Sequence, residues 1–235
     1  MKIEVLFPEF GNLFGDTSNI KYLKKCIPDA EIIETNINST PTFINEDVNL
    51  IYLGPMSEQA QEIVVEKLLP HKEKIEELIE KGTPFLFTGN SVELLGKYIE
   101  NEDGSRIQGL NIFDIYAKRD MLHRKNSNVI GNFEDITIVG FQSQFTRIYG
   151  DNTQNYFLKL KLGMGINDES KLEGIKKNNF IGTHVIGPIL ILNPLFTRKL
   201  LEIMGVKEPK VALERETIAA YESRVLDFKQ KFKVN

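Results

Sequence analysis

The strongest constraint on this chain is an alternation. Short apolar runs rich in β-branched and aromatic residues, at 3–7, 31–34, 50–53 and 85–87, are separated by stretches of helical period at 18–25, 59–69 and 72–81. A run of four or five apolar residues suits a strand buried on both faces. HKEKIEELIEK instead spaces its apolar residues three and four apart, as one stripe of a helix does, and its Lys/Glu mixture reads as a solvated face. Strand, helix, strand in succession argues for parallel βαβ units, because a parallel neighbour is reached only through a crossover. Crossovers of one hand place the C-terminal ends of the strands, and the loops after them, on one edge of the sheet. Ligands of open α/β folds bind at that edge, and three loops fall there: GNLFGDTSN (11–19), GPMSE (54–58) and TGNS (88–91). The run after TGNS, 91–98, reads as a helix that Asn90 or Ser91 would cap.

From about residue 109 the texture changes. Strand-like runs at 111–116, 129–130, 136–141, 145–149 and 156–162, separated by Gly, Asn and Asp, suggest an antiparallel extension. A strand at 179–182, the segment THVIGPILILNP and a helix at 194–204 return to the α/β pattern, and a charged amphipathic helix follows at about 212–232. With no repeat, low-complexity tract or linker, residues 1–235 are expected to form one domain.

Composition narrows the function classes. Of 235 residues, 41% are hydrophobic and 26% charged, enough for a full core, and the net charge of -4 supplies no field for nucleic acid. The lone Cys26 excludes a disulfide framework and a cysteine metal cluster and suits a reducing compartment. His71 and His123 sit in charged or loop contexts without metal-ligand spacing, so neither a metal nor another cofactor is expected. No apolar run is long enough for a signal peptide or membrane span, and a cytoplasmic location is expected.

Seven stretches in collinear order carry a resemblance: NLFGDTSNI (12–20), LIYLGPMSEQ (50–59), FTGNSVELLGK (87–97), DGSRIQGLNIFDIY (103–116), VGFQSQFTRIY (139–149), LGMGINDESKLEGI (162–175) and IGTHVIGPIL (181–190). Together they resemble class I glutamine amidotransferases of the cobyric acid synthase (CobB/CobQ) type, most of all the GatD-type glutaminase subunits of lipid II isoglutaminyl synthase. The resemblance implies a flavodoxin-like α/β fold with a mostly parallel central sheet. It also implies a glutaminase chemistry in which a cysteine thiolate attacks the amide, a histidine activates it and backbone N–H groups hold the oxyanion.

Laid on that pattern, the chain lacks the chemistry. The nucleophile position falls on Gly89 and the histidine position on Ile186. The Gly-Gly pair of the oxyanion loop becomes Gly54-Pro55, and Pro55 has no N–H to offer. Gln142, Ser143 and Gln144 stand where substrate-side Glu/Asn and His residues are implied. His184, two residues before Ile186, shares its face if the segment is extended, so it either packs structurally or lines a surviving pocket. Glu93 replaces a glutamine of the elbow motif and is either a first-turn acid favoured by a helix dipole or a carboxylate near the former site. Ser91 would need a base that Ile186 cannot be. Asp16 and Asn19 precede a helix and serve either as turn and cap or as a retained contact surface.

The resulting expectation is a pseudoglutaminase that pairs with a Mur-ligase-like partner resembling MurT in cell-wall (peptidoglycan) or related amidation. The candidate pocket comprises Asp16, Asn19, Gly54, Pro55, Gly89, Asn90, Ser91, Glu93, Gln142, Ser143, Gln144 and His184. Two alternatives stay open: a different chemistry in the same crevice, using Glu93, Ser91, Asp16 or His184, or an active glutaminase that uses Cys26 in another register.

Overall fold

The computed structural model describes residues 1–234. Its N-terminal half is the expected alternation: β1 (Lys2–Leu6), α1 (Ser18–Cys26), β2 (Glu31–Thr35), β3 (Leu50–Leu53), α2 (Glu58–Leu68), α3 (Lys72–Lys81) and β4 (Phe85–Thr88). Local chemistry sets the boundaries. Ser57 caps α2 by accepting the Ala60 N–H at 3.2 Å, and α3 stops at Gly82, whose φ of 86° only glycine adopts without strain. Along α3 the buried residues are Ile75, Leu78 and Ile79, while Lys74 pairs with Glu77 on the outer face at 3.1 Å.

After β4 the reading of 91–98 as a helix is corrected. Gly89–Leu95 is a 3-10 segment, and the chain then enters β5 (Tyr98–Glu100). Six of those seven residues are buried, so the segment has no solvent face and is shaped by its surroundings. The run at 111–116 is also not a strand for most of its length. Asn111 adopts φ 50°, and the N–H groups of Leu110, Asn111, Ile112 and Phe113 donate to carbonyls of Leu94, Leu95 and Gly96, so this stretch wraps the 3-10 segment.

The remaining strands are β6 (Arg106–Gln108), β7 (Ile115–Arg119), β8 (Lys125–Phe133), β9 (Ile136–Gln144), β10 (Thr146–Gly150), β11 (Leu158–Leu162), β12 (Leu172–Glu173), β13 (Ile175–Lys177) and β14 (Phe180–Thr183). Helices α4 (Ile189–Leu192), α5 (Pro194–Ile203) and α6 (Glu214–Phe232) follow, the last starting two residues later than expected.

The central sheet has six strands in the order β13-β14-β4-β3-β1-β2, parallel throughout except for β13. The extension forms two four-stranded sheets, β10-β7-β5-β6 and β12-β11-β8-β9, antiparallel apart from the β5–β7 pair. Side chains of the central strands alternate between two cores. Phe85, Phe87, Ile51, Leu53 and Phe180 meet α2 and α3 on one face, while Leu86, Tyr52, Leu50, Ile3, Val5 and Ile181 meet α1, α4 and α5 on the other. This two-sided burial explains why these strands read as continuous apolar runs. It also fixes the loops after β1, β3, β4 and β14 at one edge.

Candidate functional site

At that edge the loops are held by side chains as well as by the sheet. Gly54 lies so close to the neighbouring loop that a Cβ there would sit 2.1 Å from Gly11 O. Met56 N–H donates to Asn90 Oδ1 at 3.0 Å while Asn90 Nδ2 donates to Met56 O at 2.7 Å, which clamps the β3 loop to the β4 elbow. The first N–H after Pro55 is therefore already used, and Pro55 has none.

Gly89 forms the elbow with φ 61°, the left-handed conformation a sharp strand-to-helix turn demands. A Cβ at Gly89 would lie 2.4 Å from Pro55 Cβ and 3.3 Å from Pro55 Cγ, so the proline ring fills the space in which a side chain would begin.

A small cleft of about 80 Å³ opens above this turn, lined by Pro55, Gly89, Asn90, Ser143, Gln144 and Ile186, with Thr146 in its wall and Leu13, Phe14 and Arg124 at one side. The two positions that the resemblance assigns to nucleophile and base, Gly89 and Ile186, thus meet in one cavity, although they are far apart in the chain. Small-molecule pockets run to about 300–1,000 Å³, well above this volume. At one side Phe14 is exposed with φ 61°, a backbone that is strained for an aromatic residue.

The other candidate residues stand behind the cleft. Ser91 Oγ lies 2.8 Å from Thr88 O and 3.1 Å from Leu53 O, so its hydroxyl ties the elbow to β3 and caps no helix. Asp16 Oδ2 accepts from Tyr52 OH and Thr88 Oγ1, both at 2.5 Å, in a buried knot under the elbow. Burial pushes the Asp16 carboxyl above its usual range, and burial next to Asp16 pushes the Tyr52 phenol well up. Asn19 Oδ1 accepts the Leu190 N–H at 2.9 Å, joining α1 to α4. Gln142 clasps Met164 through both amide atoms, at 2.9 Å and 3.0 Å. Asp16, Asn19, Gly54, Ser91 and Gln142 therefore shape the site from beneath.

Glu93 and His184 form a buried unit that neither reading of the sequence anticipated. With no α-helix at the elbow, Glu93 has no helix dipole to serve. Its Oε1 meets His184 Nε2 at 3.0 Å and accepts from Thr146 Oγ1, and its Oε2 accepts from Gln61 Nε2 at 3.0 Å. Both side chains are essentially sealed from solvent. His184 turns inward because the chain leaves the strand at Thr183, while Ile186 bridges Phe141 and faces the cleft. The two residues do not share a face. On the far side the backbone N–H of His184 donates to Glu173 Oε1 at 2.7 Å, and Thr183 Oγ1 donates to Glu173 Oε2 at 2.9 Å. Burial raises the Glu173 carboxyl to about 6 despite those bonds and the nearby imidazole. Thr146, Gln61 and Glu173 were not among the candidates. Glu93 and His184 are 91 residues apart and no local spacing pairs them.

Cys26 is remote from the cleft. It ends α1, accepts the Ala212 N–H at 3.2 Å, and its thiol is pushed up by burial, the opposite of what a nucleophile needs. His123 is exposed beside Asp120, and His71 packs edge-on to Phe43. Among the described residues no group of His, Cys, Asp and Glu could hold a metal ion, and no helix is long and apolar enough to cross a membrane.

A profile of the CobB/CobQ-like glutamine amidotransferase domain matches residues 2–191. The chain belongs to this family. It is 32% identical over 194 residues to subunit GatD of the glutamine-hydrolysing lipid II isoglutaminyl synthase of Staphylococcus aureus (strain N315), covering 81% of this chain and 79% of that protein. The same subunit of Streptococcus pneumoniae (strain ATCC BAA-255 / R6) is 26% identical over 204 residues, covering 82% of this chain and 76% of that one. Solved structures agree on the fold. A glutamine amidotransferase superposes with a TM-score of 0.59 at 12% identity, covering 86% of this chain and 99% of the other. A second, from Thermotoga maritima, gives 0.54 at 14% identity, covering 97% and 92%. The class I glutamine amidotransferase fold expected from the motifs is therefore the fold observed, and α5 and α6 lie beyond the part of the chain that the family profile covers.

Proposed function

We propose that this chain is a GatD-like subunit that does not hydrolyse glutamine and works by binding a ligase partner. The observation that carries the reading is the Pro55 ring packed against Gly89, 2.4 Å from where a nucleophile's Cβ would have to be. Three further features support it. Ile186 cannot take a proton, Pro55 has no N–H for an oxyanion, and the Met56 N–H is bonded to Asn90. Deleting a covalent nucleophile from a hydrolase lowers its rate on the order of a million-fold. The family profile nonetheless runs through the loops at this edge, since it matches residues 2–191.

The two curated relatives are subunits of a lipid II isoglutaminyl synthase. By analogy the partner is a Mur-ligase-type protein resembling MurT, the setting is cytoplasmic cell-wall or related amidation, and the ligase draws on free ammonia or another donor. Co-expression with a MurT-like ligase from the same genome, followed by affinity capture, tests this directly. Co-purification in fixed stoichiometry is expected, and its absence would remove the partner from the reading.

One observation favours a second reading. Thr146 lies in the wall of the cleft and donates to Glu93, which His184 orients from behind. A cleft-wall hydroxyl backed by a buried carboxylate is the skeleton of a different general-base chemistry, in which the hydroxyl relays the proton. Turnover of any substrate that Glu93→Gln abolishes without unfolding the protein would establish it.

A further inference from the structure

The face of the β10-β7-β5-β6 sheet that points away from the core carries two parallel rows, set by strand pairing. Tyr149 pairs with Tyr116, and Lys118 with Arg147, across β10 and β7; Glu100 pairs with Lys118 across β5 and β7. Tyr98, Tyr116 and Tyr149 stack with ring centroids 5.0 Å and 5.4 Å apart, which holds the Tyr149 ring in place. At the end of these rows lies a groove of about 410 Å³, lined by the cations Lys118, Arg119, Lys125 and Arg147 and by Tyr149, with Asp168, Asp120 and His123 also in its wall.

Two carboxylates there are each shared between two cations. Asp168 serves both Arg147, at 3.4 Å, and Lys125, at 3.8 Å. Glu100 likewise serves both Lys118, at 2.9 Å, and Arg106, at 2.8 Å. Arg147 is only 7% exposed; its Nη1 donates to Thr146 O at 2.8 Å and its Nε to Asp168, which leaves Nη2, open to solvent, without an acceptor among the described residues. Arg119, 6% exposed, pairs with Thr146 and points to the opposite face of the sheet, where Glu62, Glu58 O, Gln61 and Asn101 hold it. A surface ion-pair network pairs charges one to one on mobile side chains. Arg147 instead is held by the bonds at Nη1 and Nε, so its remaining solvent-accessible N–H group is a preorganised donor at the groove, in the fork geometry that suits a phosphate.

We propose that this groove binds a phosphate-class oxyanion, a phosphate or pyrophosphate group, either free or carried on a lipid headgroup. Arg147 Nη2 supplies the preorganised donor, Lys118 and Lys125 close over the anion from the rim, and Asp168, 59% exposed, turns outward to release them. The site is separate from the Gly89 cleft, so its failure leaves the reading of that cleft intact.

The test uses the whole chain. Sodium pyrophosphate is titrated at constant ionic strength and followed by calorimetry. In a second arm the protein is co-sedimented with phosphatidylcholine vesicles with and without phosphatidate. Saturable binding is expected in at least one arm, pyrophosphate alone indicating a free ligand and phosphatidate alone a headgroup. Lys118→Ala and Lys125→Ala should each weaken it several-fold. Arg147→Lys, which keeps the charge and loses the fork, should weaken it about tenfold. Lys21→Ala, on the exposed side of α1, should leave it unchanged. If Arg147→Lys fails to fold, the two lysine variants decide. No saturable binding in either arm, or equal weakening by Lys21→Ala, overturns the proposal.

Discussion

Gly89→Ala is the smallest change that puts an atom at the position the family resemblance assigns to the nucleophile. Two effects add. A non-glycine residue at φ 61° costs about 1 kcal/mol or more, and a Cβ 2.4 Å from Pro55 Cβ overpacks a tied loop, which costs about 1–3 kcal/mol. The expected loss is about 3 kcal/mol, a fall in melting temperature of roughly 6–12 °C for a chain of this size. Pro55→Gly removes the offending ring and has its own backbone cost, but in the double variant the clash is gone. The double-mutant cycle from urea denaturation should therefore show a favourable coupling of about 1–2 kcal/mol between the two sites. If Gly89→Ala is within about 0.5 kcal/mol of the parent protein, which is typical of a harmless surface change, or if the two changes simply add, then Pro55 does not occupy that space and the structural case for a closed site fails. By the same reasoning Gly89→Cys alone should release no glutamate, since Ile186 and Pro55 leave the thiol without base or oxyanion donor.

Other expectations follow from the buried groups. Glu173 keeps its proton in the folded protein up to about pH 6, whereas the unfolded chain loses it near its ordinary value of 4.5. Stability from this group is thus full below pH 4.5 and lost as pH rises to 6, about 2 kcal/mol in all. Glu173→Gln should flatten that slope in urea titrations run across the interval, and an unchanged slope would assign it to another group. His184→Ala removes the partner of a buried carboxylate and should destabilise by about 3 kcal/mol, read by thermal melting; a neutral result would show that Glu93 does not depend on it. Gly54→Ala places a methyl 2.1 Å from Gly11 O, backbone that cannot yield cheaply, and should express poorly or lose more than 3 kcal/mol, beyond the usual overpacking range.

Much of this was legible in the sequence, for physical reasons that can be named. The runs at 50–53, 72–81 and 85–88 announce themselves because each has one pattern and one environment: two-sided burial for the strands, a single apolar stripe for α3. The elbow did not. SVELLGKY carries apolar residues at helical spacing, yet Gly89–Leu95 is enclosed on all sides, so burial and the close approach of Ile115 O to Gly96 override the period. Register with the family placed Gly89 and Ile186 in one cleft, which local pattern could never do. It also placed His184 beside them, and there the turn after Thr183 sends the imidazole inward to Glu93. Thr146, Gln61 and Glu173 stayed invisible because each contributes through bonds to residues outside its own element, and a threonine in a strand or a glutamine on a helix carries no mark of what it will meet.

The central claim is that this family member has no glutaminase chemistry, and glutamate release from glutamine tests it most directly, measured on the chain alone and again with a co-purified Mur-ligase-type partner. No release above the protein-free control is predicted in either case. Sustained release that disappears with Cys26→Ala, or that survives in the chain alone with Gly89 unchanged, would contradict the account.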